Sequence, residues 1–267
     1  MATKDGSAAP GTDPSRTTRA RLGFGIDIGG SGIKGAPVDL TNGEFTADRL
    51  RITTPQPSTP EAVAAVVKQV LDHFEWTGPY GCTLPAVVQH GVARTAANID
   101  PSWIGTDVDK LFESVTGRNS FLSNDADAAG LAEVRFGAAA GQPGTVLVTT
   151  LGTGIGSALI FDGVLVPNTE FGHLEVDGHD AEKRAASSVK EAEGLSYKHW
   201  ARRLTAYYTA LENLLWPDLI VVGGGVSKDS EKFLPLVEVR TRLVPAALQN
   251  NAGIVGAAVL STERAEA

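Results

Sequence analysis

Short apolar runs closed by glycine set the rhythm of this chain. LGFGIDI, from Leu22, has the length and composition of a buried strand; the turn GGSG follows, then a second run, IKGAPVDL. Asn42-Gly43 predicts a hairpin, because both residues tolerate positive φ, and ADRLRITT beyond it alternates as a third strand does. Thr59 and Pro60 form an N-cap and first-turn pair. Val63, Val66, Val67, Val70, Leu71 and Phe74 then recur at helical spacing. GCTLPAVVQ and GVARTA predict two more strands, and DVDKLFESV a short helix capped by Thr106 and stopped by Gly117. SFLSN predicts a strand, and the Ala-rich DADAAGLAEVRFG a helix.

At Gly144 the pattern restarts. TVLVTTL, the glycine turn GTGIG, SALIF, the hairpin pair Asp162-Gly163 and VLVP repeat the order of Leu22–Leu40. Two α/β halves of one plan are implied, with a cleft between them. A long helical stretch over Ala181–Trp216, a strand DLIVVGGG and a closing helix NAGIVGAAVLS complete the chain, the last packing back on the first half. Residues 1–21 are small, polar and rich in Pro and Gly, which predicts a disordered tail. The expected division is a small lobe at 22–124, joined by the helix at about 250–262, and a large lobe at 125–249.

Composition narrows the class. Of 267 residues, 42% are apolar and 20% charged, as in ordinary globular proteins. The single cysteine, Cys82, excludes an internal disulfide and a cysteine-cluster metal site. A net charge of −8, from 31 acidic and 23 basic residues, argues against nucleic acid as a main partner but leaves room for a phosphate held locally. No apolar run approaches the roughly 20 residues that span a bilayer, and Met1–Arg21 lacks the apolar segment of a signal peptide. A cytoplasmic protein that does not engage membranes is expected, as a monomer or homodimer.

Three glycine turns follow apolar strands: Gly29-Gly30-Ser31-Gly32, Gly152-Thr153-Gly154 and Gly223-Gly224-Gly225. Glycine lets backbone N–H groups crowd around an anion, and a hydroxyl adds a donor. None of the three is a Walker A loop or a dinucleotide fingerprint. Asp27, just ahead of the first turn, is out of place beside phosphate unless a cation intervenes, and Mg²⁺ held through water fits. Lys34 is a charge partner for phosphate or a solvated strand lysine. Asn124 and Asp125 stand at a strand-to-helix junction, where Asp125 is either an N-cap or a general base for a hydroxyl that Asn124 orients. Glu170, His173 and Asn98 are suited to sugar hydroxyls. The basic residues from Lys183 to Arg203 are either a track for a linear polyanion or ordinary solvated helix faces.

In combination, DIGGSGIKG, SNDADAAGLAE, LGTGIGSALI, EFGH and VVGGGVS resemble the ROK-family sugar kinases, in the family's order and over about residues 22–260. The resemblance implies a two-lobed actin/hexokinase-like ATPase fold, with duplicated ribonuclease H-like βββαβαβα halves and a central cleft. It implies Asp125 as catalytic base, and Asn98, Asn124, Glu170 and His173 as hexose ligands. The three glycine turns, with Lys34, match its phosphate and nucleotide loops. TPQPSTP, RTAANIDPSWIGTD and VPAALQNNAGIVGAA resemble the branch that phosphorylates the 6-hydroxyl of glucose, and of mannose, from inorganic polyphosphate or ATP. The cysteine cluster by which many members bind structural zinc is missing from LEVDGHDAEKRAASS, so no zinc is expected. The sugar-binding glutamate of that cluster has a weak substitute in Glu182. A strictly ATP-dependent kinase of another hexose and a non-catalytic sugar sensor are the alternatives.

Overall fold

The computed structural model describes residues 21–97 and 99–266. The tail expected at 1–21, apart from Arg21, and Asn98 lie outside the described residues. Arg21 itself is engaged: its carbonyl accepts from the Leu40 N–H at 2.8 Å and its guanidinium pairs with Glu266.

The first half runs β1 (Leu22–Ile28), β2 (Ile33–Asp39), β3 (Glu44–Phe45), β4 (Leu50–Ile52), α1 (Pro60–His73), β5 (Tyr80–Leu84), the small hairpin β6 (Val88–Gln89) and β7 (Val92–Ala93), α2 (Val108–Thr116), β8 (Ser120–Asn124) and α3 (Asp125–Phe136). The second runs β9 (Thr145–Leu151), β10 (Ile155–Phe161), β11 (Val164–Val166), the hairpin β12 (Glu175–Val176) and β13 (His179–Asp180), α4 (Glu182–Ala185), α5 (Ser187–Ala192), α6 (Tyr197–Leu215), β14 (Leu219–Gly223), α7 (Ser230–Phe233), β15 (Leu243–Pro245) and α8 (Ala252–Glu266). The sheet orders are β3-β2-β1-β5-β8 and β11-β10-β9-β14-β15, one topology used twice; β4 adds to the free part of β2.

The closing helices cross over: α3, which follows the first sheet, packs on β9 and β10, whereas α8 lies on β1 and β5. Against each other, α3 and α8 form the seam between the halves. Close approach of α8 to the first sheet and to α3 is possible because glycines stand at the contacts. A Cβ at Gly25 would fall 1.8 Å from the Ile254 carbonyl oxygen, and one at Gly256 would fall 1.8 Å from that of Ala128.

Each half has its own core, one around Phe24, Ile26, Val67 and Phe112, the other around Leu147, Tyr208 and Phe233. Buried indoles stay hydrogen-bonded, as they must to offset desolvation: Trp103 donates to the Ser58 carbonyl at 2.8 Å and Trp200 to that of Ala185 at 2.9 Å.

Several expectations change. The helical stretch at 181–216 is three helices, not one. Ala186 is extended between α4 and α5, Gly194 has a φ of +61°, and Ser196 starts α6 by accepting from the His199 N–H. The cap of α2 is Asp107, not Thr106, because its carboxylate accepts from the Lys110 N–H. Of ADRLRITT only Leu50–Ile52 pairs as strand, and β15 and α7 had no clear sequence signal.

Candidate active site

The site grows from the β8–α3 junction. Asn124 caps α3: its Oδ1 accepts from the N–H groups of Ala126 at 2.8 Å and Asp127 at 3.3 Å, and its Nδ2 donates to the Ala86 carbonyl at 3.2 Å. Capping therefore falls to Asn124, whose amide is held by backbone, and Asp125 is released from that duty. One Asp125 oxygen accepts from the Ala126 N–H at 2.9 Å. Its carboxyl opens onto the cleft yet is crowded by protein atoms. Desolvation, helped by the charges of Asp27 and Glu170 and opposed by backbone N–H groups, pushes it up to about 6. Water entering by the cleft mouth moderates the shift, and a ligand that excludes that water strengthens it.

Asp27 faces Asp125 from the small-lobe sheet. Thr83 donates to its Oδ1 at 2.9 Å and Lys34, its cross-strand partner, to its Oδ2 at 3.2 Å. Lys34 thus shares its charge between Asp27 and whatever enters the cleft. Asp27, Lys34, Asp125, Thr150, Gly223 and Gly224 line one cavity of about 200 Å³ between the lobes. A second, of about 380 Å³, lies beside it against Gly152, Thr153, Ser188, Lys190, Tyr197 and Gly225.

Two of the three glycine turns are braced by groups outside them. In the first, the Gly29 N–H donates to the Gly32 carbonyl at 3.1 Å, Thr54 donates to Gly29 O at 2.5 Å, and Arg51 donates to Ser31 O at 3.0 Å; Gly30 sits within the turn. In the second, the Gly152 N–H donates to Gly154 O at 2.9 Å, while Ser187 and Ser188 donate to the carbonyls of Gly152 and Thr153 at 3.0 and 2.6 Å.

Glu170 precedes a short 3₁₀ turn, Phe171–His173, and desolvation raises its carboxyl above the usual range. His173 Nδ1 lies 3.0 Å from Asp180 Oδ2, a bond that raises the imidazole pKa. Glu182 Oε2 accepts from the Ile155 N–H at 2.8 Å, so α4 holds the end of the second glycine turn. The Trp200 bond to Ala185 anchors that helix in turn. Asp180, Glu182 and the two serines thereby tie the His173 segment to the second glycine turn.

Six residues escaped the sequence reading, Ser187 and Ser188 among them. Thr83 is a hydroxyl inside the buried strand β5, and that interruption was its signal. Thr54 and Arg51 brace the first turn from β4 and beyond, with nothing in their spacing to show it. Buried Glu133 accepts from the N–H groups of Ala138, Ala247 and Leu248 at 2.8, 3.0 and 2.8 Å, fixing the segment beside the cavity. Of the basic residues from Lys183 to Arg203, Arg203 is occupied by Glu193 at 2.6 Å and by the Arg184 carbonyl at 3.0 Å.

Among the described residues, no three carboxylate, imidazole or thiol groups gather as an all-protein metal cage. The carboxylate of Asp27, beside the first glycine turn, is of the kind that would hold a Mg²⁺ through water. Nor is any described helix long and apolar enough to cross a membrane.

Residues 23–188 match the ROK family. Polyphosphate glucokinase of Mycobacterium tuberculosis is 57% identical over 249 residues, 93% of this chain and 94% of that protein. That of Mycobacterium leprae is 53% identical over 255 residues, 95% of this chain and 79% of its own length. The solved inorganic polyphosphate/ATP-glucomannokinase of Arthrobacter sp. strain KM matches with a TM-score of 0.86 at 51% identity, covering 91% of this chain and 99% of that one.

Proposed function

The chain belongs to the ROK family and has its actin/hexokinase-like fold, and we propose that it transfers the terminal phosphoryl group of inorganic polyphosphate to the 6-hydroxyl of glucose. The observation that carries this reading is Asp125: the first residue of α3, freed from capping by Asn124, turned into the cleft and facing the Asp27 end of the first glycine turn. Asp125 takes the hydroxyl proton as the phosphoryl group arrives in line. That transfer asks little covalent chemistry of the protein beyond position and charge. A pKa near 6 leaves the base ionised at neutral pH and still able to hold a proton.

Glu170 and His173 hold the hexose, with Asn98, Asn124 and Glu182 as further ligands in this reading. Backbone N–H groups of the turns Gly29–Gly32 and Gly152–Gly154, with Thr153, take the charge of the transferring group. Lys34 neutralises donor oxygens. Mg²⁺, held through water by Asp27, supplies charge neutralisation on the donor phosphates when bound. Closing the lobe of residues 22–124, with α8, onto that of 125–249 shuts water out and suppresses futile hydrolysis.

ATP is the second donor and mannose the second acceptor in this proposal. Tyr197 and the Gly225 turn, in the outer cavity beside the second glycine turn, suit a nucleoside. A coupled assay of glucose and mannose, each with polyphosphate and with ATP and with Mg²⁺ varied, tests the whole reading. Glucose phosphorylation from polyphosphate is expected. Transfer from ATP alone, or from neither donor, contradicts it.

A further inference from the structure

A linear donor longer than the cleft must extend beyond it, and two further recesses lie beside the cavity at Asp125. One lies at the Gly225 turn. Its charged side chains are Lys190 and Lys228 against Glu191 and Asp229, a neutral balance. The other lies on the small lobe. There, Arg51 is the cross-strand partner of Lys34, which is the partner of Asp27, so the three stand in a row across β4, β2 and β1. Leu50 and Ile52 turn into the core. The intervening Arg51, and Arg49 two residues before it, share the opposite face.

Arg51 donates to the Ser31 carbonyl at 3.0 Å, and Arg49 donates to Asn251 Oδ1 at 3.2 Å. Both guanidinium groups are exposed, and neither pairs with a carboxylate among the described residues. Gln249 and Asn250 line the inner cavity. The next residue, Asn251, lines an open groove of about 410 Å³ with Phe45, Thr46, Ala47, Asp48 and Arg49. The turn at 249–251 therefore joins the reaction cavity to an outer groove, with amide groups on one side and guanidinium groups on the other. Asp27 already has Lys34 and Thr83 as partners, and Asp48 lines the outer groove with Arg49.

We infer that the polyphosphate beyond the transferred group leaves the cleft along the small lobe, over Lys34, Arg51 and Arg49 and the amides of Gln249, Asn250 and Asn251, into the groove at Thr46–Arg49. Guanidinium groups suit this ligand because they offer several donors in a plane to successive phosphate oxygens. An exposed track also suits a repeating polyanion, whose binding depends on charge number and released counterions rather than on one tight pocket. The inference rests on the proposed polyphosphate activity.

The test compares donors in one enzyme. The ratio of kcat/KM for long-chain polyphosphate to that for ATP is measured for the wild type, an Arg49→Gln/Arg51→Gln variant and a Lys198→Gln/Arg202→Gln variant, at two salt concentrations. The small-lobe variant is expected to lower the ratio about tenfold, because two charge-assisted hydrogen bonds to phosphate are removed, and to flatten its salt dependence. The helix variant leaves the ratio within about twofold. An equal fall with both donors means that Arg51 only braces the first glycine turn, and overturns the track. A fall confined to the helix variant moves the track to α6 and also overturns it. If the wild type does not use polyphosphate at all, the proposed function fails and the track with it, a result distinct from the other two.

Discussion

Asp125 and Asp127 stand two positions apart on one helix and do different work. Asp125 faces the cleft; Asp127 is buried, with Oδ2 accepting from the Asn168 N–H at 2.8 Å and Oδ1 unpartnered. Desolvation pushes Asp127 up to about 7. Its folded pKa is raised, so the stability it contributes is present below about pH 4 and lost as pH rises through about 7. The loss is on the order of 4 kcal/mol at most. Asp127→Asn is expected to flatten the dependence of the urea midpoint on pH between 5 and 8. An unchanged slope would show that Asp127 titrates normally. Asp125 sets a second pH effect. In its proposed role as base Asp125 must be ionised, so kcat/KM for glucose should fall about tenfold per unit below a pKa near 6. A profile flat down to pH 5 contradicts that assignment. The sequence reading preferred Asp125 because residues two apart on a helix do not share a face; the structure sets Asp125 at a cavity and buries Asp127. The sequence could not show that Asn124 takes the capping role, because Asn and Asp cap equally well.

Strand–turn–strand units were legible in both halves, because buried strands are short apolar runs and their glycine turns punctuate them. The elements that brace the turns were not. Arg51, Thr54, Ser187 and Ser188 reach the glycine carbonyls from elsewhere in the chain, and a long-range bond leaves no local period. The break of 181–216 into three helices was hidden for a related reason: Ala186 is a good helix former, extended here by its tertiary setting. Glu133 is the strongest case at this scale. Its carboxylate receives three backbone N–H groups from two segments, so Glu133→Ala strands all three. We expect a loss of about 3 kcal/mol or more, a fall in Tm of about 6–12 °C for a chain of this size. A fall under about 2 °C in calorimetry would mean that the segment at 246–248 is held by other contacts.

At the scale of the molecule, the duplication creates the function. Two sheets of the same order each end a first strand in a glycine turn, and the crossed helices α3 and α8 pack the two halves against each other. In the proposed mechanism the base stands directly after β8 of the first sheet, which also carries Asp27 and Lys34, while the second glycine turn, Gly152–Gly154, comes from the second sheet, so neither half alone is complete. The repeat at Gly144 made this plan readable from the chain; the crossing of the helices became visible only in the packing, where Gly25 and Gly256 permit it. The most direct measurement is turnover and glucose binding by Asp125→Asn, with polyphosphate as donor. The amide keeps the size and cannot take the proton. Glucose affinity should therefore stay within about threefold while kcat falls by roughly 10²–10⁴. A variant that binds glucose normally and turns over within about tenfold of the wild type would contradict the account, because the proton would then leave by a route that does not involve this carboxylate.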